Sequence, residues 1–479
     1  MSKEFNKIKE GFNPPGLLIA GTNSGCGKTT VTLALMEAFK RRGIRVCPFK
    51  IGPDFIDPGL HRFILGTASH NLDTWMLSSN KVKELYNSVS KGFDLSIVEG
   101  VMGLYDGASG RSEEGSSAHI AKLLGLKVLL VVNARSMARS VAALIKGFIE
   151  FDPQVEFLGV ILNNVGSKNH KELLFEAIEP LGLDFIGSLS RDPNIILPSR
   201  HLGLVTAEEN PFSDEFKENL FNWISSGVDI DCLYKKLAKS KKGKVFDLIK
   251  KDEKEQPVSV KVKKIKKTKR LAVSWDKAFC FLYQANLNIL KKLGVKIEFF
   301  SPLKDKRLPP KTKGLYLCGG YPELYAKELS RNVELLQTIK EFIEDNGRVY
   351  AECGGMIYLS QGIRTKEKVF KFSSILPFWT KMSERLSALG YREVKFLKDC
   401  FIANKGTITR GHEFHYSFID IEEEKKKEAL DEMNIYEVFD RKGKKIATKG
   451  FLYKSCLASY VHLHFLSNIE LCEKFVTSL

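Results

Sequence analysis

Short apolar runs alternate with stretches of helical periodicity through the first half of the chain, the pattern of a parallel sheet wrapped by helices. Runs at 17–21, 46–51, 95–99, 128–133, 158–163 and 185–188 predict buried strands, and 31–41 has helical spacing. The alternation breaks between Tyr234 and Arg270, where lysine dominates and like-charge repulsion opposes compact packing. It then restarts, with strands predicted at 271–274, 297–300, 314–318 and 348–351 and helices at 283–293 and 335–344. This divides the chain into an α/β domain over 1–232, a Lys-rich linker over 233–268 and a second α/β domain over 269–479. A length of 479 residues agrees, since domains commonly run to roughly 100–200 residues. No repeat of roughly 20–50 residues points to a solenoid.

Composition narrows the class. With 43% hydrophobic and 27% charged residues the chain reads as a soluble globular protein. No apolar run approaches the roughly 20 residues that cross a bilayer. Residues 1–10 are charged and carry no signal-peptide core, so a cytoplasmic location without membrane contact is expected. The nine cysteines form no CxxC pair and their number is odd, which suggests neither a disulfide framework nor a zinc ribbon. A formal net charge of +17 would suit nucleic acid or a polyanionic small molecule. The lysine run at 261–270 has no interleaved aromatic residues for base stacking, so it reads as a solvated tether and nucleic acid is not expected as a partner.

Specific chemistry enters after the first predicted strand. Gly21, Thr22, Asn23, Ser24, Gly25, Cys26, Gly27, Lys28, Thr29 and Thr30 lead into a helix, which is the setting of a phosphate-binding loop. Backbone N–H groups and the positive helix end cradle phosphates there. Lys28 is expected on the β- and γ-phosphates of ATP and Thr29 on Mg²⁺. The spacing departs from the usual loop, because Thr22 stands five residues before Gly27 and the glycine, Gly21, comes one earlier. Acids follow at the C-terminal ends of strands, where ligands bind open α/β sheets. Glu99, directly after a strand, is the candidate metal ligand, and Asp54, Asp57 and Asp106 are candidates for carboxylate activation and substrate positioning.

The second domain carries a candidate nucleophile. Cys353 lies in Ala-Glu-Cys-Gly-Gly-Met at a strand-to-helix turn of the nucleophile-elbow kind. A helix dipole is expected to lower its thiol pKa, with the N–H groups of Gly354 and Gly320 forming an oxyanion hole. His462 is the best candidate for the base, with His412 and His415 as competitors. The other cysteines read as small apolar fillers.

Taken together, segments 21–30, 50–58, 99–107, 319–323, 351–356, 410–417 and 458–465 closely resemble the cobyrinic acid a,c-diamide synthase family, including its hydrogenobyrinic acid counterpart. The resemblance covers nearly the whole chain except the lysine linker. It implies a dethiobiotin synthetase-like P-loop domain followed by a triad-class glutamine amidotransferase domain. The implied activity is amidation of the a- and c-acetate carboxylates of a corrinoid ring in cobalamin biosynthesis, with ATP, Mg²⁺ and L-glutamine. In that picture a carboxylate becomes an acyl phosphate, and ammonia released from glutamine passes to it under cover. The resemblance also assigns Cys353 as nucleophile and His462 as its activating histidine, and Asp54, Asp57, Glu99 and Asp106 to the synthetase site. Where the wider amidotransferase class has His-x-Glu, this chain has His462-Leu-His464, so the third triad member stays unassigned. Close relatives amidate nickel sirohydrochlorin or sirohaem, which leaves the tetrapyrrole polycarboxylate open. A non-catalytic P-loop regulator is the alternative of a different class, and a homodimer is a further expectation.

Overall fold

The computed structural model describes residues 14–200, 203–209, 212–239, 269–421 and 423–479. The chain divides into two compact units, one ending at residue 256 and the other beginning at 257.

The first unit is built on seven strands: β1 (Gly16–Gly21), β2 (Val46–Ile51), β3 (His70–Leu72), β4 (Leu95–Glu99), β5 (Lys127–Asn133), β6 (Phe157–Val165) and β7 (Phe185–Ser190). They form one parallel sheet in the order β3-β2-β4-β1-β5-β6-β7. The central strands are apolar at nearly every position because helices cover both faces, so neither face needs polar residues. Helix α1 (Lys28–Arg41) follows β1 directly, burying Val31, Leu35, Ala38 and Phe39 against the core and ending on Lys40 and Arg41, which suit its negative end. The register matters for function. Ile19 pairs with Glu99 and Lys50 pairs with Glu99, so the ends of β1, β2 and β4 converge at one edge of the sheet. Edge strand β3 was not predicted; three residues reading His-Asn-Leu are too few and too polar to show a period.

The first residues of the expected linker are helical. A helix over Ile230–Lys239 buries Ile230, Leu233 and Leu237, an apolar stripe at helical spacing with its lysines on the other side. The rest of that segment, 240–268, lies outside the described residues.

The second unit has a six-stranded sheet in the order Val295–Phe300, Lys269–Ser274, Gly314–Leu317, Arg348–Glu352, Cys456–Ser459, Gly450–Tyr453, parallel except for the last pair. Beside it stand two smaller sheets that apolar patterning does not foreshadow. One is antiparallel in the order Lys445–Ile446, Tyr436–Asp440, Ala388–Phe396, Ile408–His415, His462–Leu463. Its strands carry charged residues along their length, as in Ala-Leu-Gly-Tyr-Arg-Glu-Val-Lys-Phe, and lack an uninterrupted apolar run. His462 therefore does not continue the strand Cys456–Ser459; the chain bends and pairs His462 with His412 in the antiparallel sheet. Among the described residues no helix is long and apolar enough to cross a membrane. The reading of the cysteines as fillers fits Cys26, Cys47, Cys280, Cys318, Cys456 and Cys472, which are buried, but not Cys232, which is exposed.

Candidate active sites

In the first unit the loop after β1 turns back on itself through glycines. Gly27 has φ +102°, and a Cβ there would lie 2.2 Å from Nδ2 of Asn163. Only a hydrogen side chain allows that approach. Asn163, near the end of β6, donates to the carbonyl of Cys26 at 3.0 Å and pins the loop from the neighbouring strand. Gly21 is needed for packing: a Cβ there would meet Cys26 Sγ at 2.2 Å, which explains a glycine at the displaced position. Lys28 Nζ donates to the carbonyl of Asn23 at 2.9 Å, so its ammonium curls over the loop. Burial lowers its pKa, Cys26 opposes this and the nearby Lys50 adds to it.

Behind the loop lies a buried charge network. Glu99 is fully buried, and its Oε1 accepts from the Thr29 hydroxyl at 2.6 Å and from Lys50 Nζ at 3.0 Å. Its Oε2 lies 2.8 Å from Nε2 of His61, whose Nδ1 is 3.0 Å from Ser69 Oγ. Lys50 also pairs with Asp57 Oδ2 at 2.6 Å and donates to the Gly100 carbonyl at 3.0 Å. Burial opposes the Lys50 ammonium, but Asp57 and Glu99 more than offset it and hold Lys50 protonated above the usual lysine value. Burial likewise opposes the Glu99 charge, and Lys50 and His61 hold its carboxyl below the usual range. Burial, then Asp54 and Glu99, push the Asp57 pKa up against the pull of Lys50.

Both Glu99 oxygens face protein donors, Thr29 and Lys50 at Oε1 and His61 at Oε2. Asp57 faces Lys50 in the interior. Asp54 Oδ1 accepts the N–H groups of Ile56 and Asp57 at 2.8 and 3.0 Å, capping the helix Ile56–Leu65. Exposed Asp106 accepts from the Gly103 N–H at 2.8 Å and holds its own turn. Lys50, His61 and Asn163 were not anticipated. A lysine beside a predicted strand end and opposite an acid was the only available signal, and it needs the strand order to be read.

In the second unit Cys353 occupies the bend between strand Arg348–Glu352 and helix Gly354–Leu359, with φ +46° and ψ −104°. That conformation is costly for a residue with a side chain and is characteristic of a nucleophile held by its surroundings. The Cys353 N–H donates to the Ser459 carbonyl at 2.7 Å, which ties the bend to the strand leading to His462. The Gly319–Gly320 turn packs against it. A Cβ on Gly354 would lie 2.9 Å from Gly320 N, and one on Gly320 would lie 2.1 Å from the Ala278 carbonyl. The His462 ring lies over Gly319, with Cε1 only 2.3 Å from where a Cβ would stand.

The expectation of a lowered thiol pKa is not met in this state. Burial, then Glu323, push the Cys353 thiol up, and the N–H of Gly354 opposes them weakly from a helix of only six residues. The sulfur is therefore held as a thiol until a base takes its proton. Of the three histidines, His415 has both ring nitrogens engaged, Nδ1 at 2.7 Å from the Ser417 carbonyl and Nε2 at 2.9 Å from Glu413. His412 stacks on His462 with centroids 4.9 Å apart, and its Nδ1 lies 2.6 Å from the Tyr283 hydroxyl. Burial and His462 lower the His412 pKa well below the usual value, which keeps it neutral. His462 alone of these packs on the glycine turn beside Cys353.

Comparison with known proteins extends these local features to the whole chain. Residues 17–205 match the CobQ/CobB/MinD/ParA nucleotide binding domain, and residues 270–469 match the CobB/CobQ-like glutamine amidotransferase domain. The cobyrinate a,c-diamide synthase of Caldanaerobacter subterraneus is 42% identical over 462 residues, covering 96% of this chain and 97% of that protein. That of Archaeoglobus fulgidus is 39% identical over 96% of this chain and 97% of its own length. That of Dehalococcoides mccartyi is 38% identical over 97% and 98%. With similarity sustained through both units, the chain belongs to the cobyrinate a,c-diamide synthase family.

Proposed function

We propose that this protein uses ATP and glutamine to convert the a- and c-acetate carboxylates of cobyrinic acid to amides in the cytoplasm. The observation that carries the reading is the presence, on one chain with full-length relatives of that name, of a phosphate loop with its lysine and a cysteine elbow with its histidine. A non-catalytic regulator would have no need of Cys353 in a strained bend beside His462.

In the first unit the loop N–H groups and Lys28 bind the nucleotide phosphates. The Thr29 hydroxyl donates its proton to Glu99, which leaves its lone pairs free for a cation, so Mg²⁺ fits there. When bound, Mg²⁺ neutralises phosphate charge. Lys50, kept protonated by Asp57 and Glu99 in the buried network behind the loop, holds the same Glu99 carboxylate that accepts from Thr29. The substrate carboxylate attacks the γ-phosphorus of ATP there, releasing ADP and forming an acyl phosphate; ammonia then attacks the acyl carbonyl carbon and displaces inorganic phosphate, giving the amide. In the second unit His462 takes the Cys353 proton as sulfur attacks the glutamine amide carbon. The Gly320 and Gly354 N–H groups stabilise the oxyanion, the proton leaves with ammonia, and water hydrolyses the thioester to glutamate.

The test is incubation with glutamine, Mg-ATP and separate tetrapyrrole acids: cobyrinic acid, hydrogenobyrinic acid, nickel sirohydrochlorin and sirohaem. Each carboxylate converted changes the product mass by about −1 Da. Cobyrinic acid should be converted at two positions, and preferential conversion of another acid would reassign the substrate.

A further inference from the structure

The deviation at His464 leaves the histidine base without the carboxylate that its wider class carries two residues on. The strand that ends at the nucleophile supplies another. Glu352, immediately before Cys353, is 1% exposed, and its Oε2 lies 3.7 Å from Nδ1 of His462. The rest of its carboxylate is held from three directions. Oε1 accepts from the Tyr350 hydroxyl at 2.6 Å and from the Leu463 N–H at 2.9 Å, and Oε2 accepts from the Tyr316 hydroxyl at 2.8 Å. The Leu463 contact ties the acid to the residue next to His462, so the carboxylate and the imidazole are placed by one strand crossing.

A buried carboxylate is costly unless its charge is used, and three neutral donors fix its geometry without neutralising it. The nearby Glu413 is already committed to Arg392 at 2.6 Å and to His415 at 2.9 Å. We infer that Glu352 is the third member of the Cys353–His462 constellation: a positioning residue whose carboxylate keeps the His462 proton on Nδ1 and leaves Nε2 unprotonated, ready to take the proton of Cys353. This deepens the glutaminase reading and rests on it. In sequence the acid precedes the nucleophile instead of following the histidine, so a search along the chain from His462 cannot find it.

Glu352→Gln reverses the polarity of the group that faces Nδ1 across 3.7 Å. The amide oxygen must stay where Tyr350 and Leu463 donate, so the NH₂ group takes the Oε2 position and donates toward His462. The imidazole then carries its proton on Nε2 and cannot act as a base, while size and packing are nearly kept. The glutamine-dependent kcat should fall roughly 10²- to 10⁴-fold with the glutamine KM little changed, as when a triad acid becomes its amide. Glu352→Asp should restore part of the loss. Synthesis from ammonium chloride, which bypasses Cys353, reports whether the variant is folded.

A second measurement needs no variant. In protein labelled with ¹⁵N-histidine, the His462 resonances, identified by their loss in His462→Asn, should show the Nδ1–H tautomer. An Nε2–H tautomer in the wild type, or a Glu352→Gln kcat within two-fold of wild type, overturns the assignment. The underlying reading fails differently, by Cys353→Ala retaining glutamine-dependent synthesis.

Discussion

Replacing Lys50 with methionine tests the buried network most directly, because the apolar stem is kept and only the ammonium is lost. That ammonium sits 2.6 Å from Asp57 and 3.0 Å from Glu99 with 5% exposure. At an effective dielectric near 20, unit charges about 3 Å apart interact by about 5–6 kcal/mol, and removing one partner of a buried pair typically costs about 3–5 kcal/mol. The loss has a ceiling, because Asp57 can take up a proton instead. Protonating an aspartate whose ordinary pKa is 3.8 costs about 5 kcal/mol at pH 7.5 and about 2 kcal/mol at pH 5.5. Without Lys50 the folded Asp57 pKa moves further above its unfolded value, so the folded state binds the proton more tightly, and the stability this gives is lost as pH rises. The deficit of Lys50→Met should therefore be about 3–5 kcal/mol at pH 7.5 and about 2 kcal/mol at pH 5.5. Denaturant-dependent hydrogen exchange at the amides of β2 and β4 reads the first unit separately from the second. A deficit below about 1 kcal/mol, or one equal at the two pH values, would refute the coupling described here.

Cys353→Ala should abolish synthesis from glutamine and leave synthesis from ammonium salts; loss of both in a folded protein would contradict separate sites. Thr29→Val removes the hydroxyl between Glu99 and the phosphate loop and should slow synthesis from either nitrogen source by about 10–100-fold, with Thr29→Ser near wild type. Equal rates in the two variants would exclude the hydroxyl. Burial pushes the His70 pKa down from 6.5 to about 4, so the unfolded chain takes up that proton first and stability falls as pH drops from 6.5 toward 4. The loss is at most about 3 kcal/mol, and His70→Gln should flatten the slope of the first unit's stability against pH. Replacing 261–269 with a Gly/Ser segment of equal length should leave kcat within a few-fold, whereas a collapse with intact folding would show that the lysines bind substrate or partner.

The parallel strands around the phosphate loop were legible because each is buried on both faces and reads as a mostly apolar run. The same holds for the strands flanking Cys353. The antiparallel sheet holding His412 and His462 was not legible, since its half-buried strands mix charged and apolar residues and the pairing that brings in His462 joins segments far apart in the chain. The edge strand His70–Leu72 was missed for want of length. At the sites, the glycine, lysine and cysteine turns are local arrangements, so their spacing alone marks them.

Sequence by itself determined two α/β units, a phosphate loop in one and a cysteine elbow in the other, because turns and apolar periods are set by neighbouring residues. Which charges face one another was decided only in three dimensions. The order β2-β4-β1 sets Lys50 against Glu99 and Thr29 against the same carboxylate, and so builds a buried network around it. The bend after Ser459 carries His462 away from the line of the strand Cys456–Ser459 and over Gly319, with Glu352 behind it. Burial then sets the protonation states, raising the Cys353 thiol where a local helix argument lowers it, because desolvation depends on everything packed around the sulfur and one turn of helix does not outweigh it.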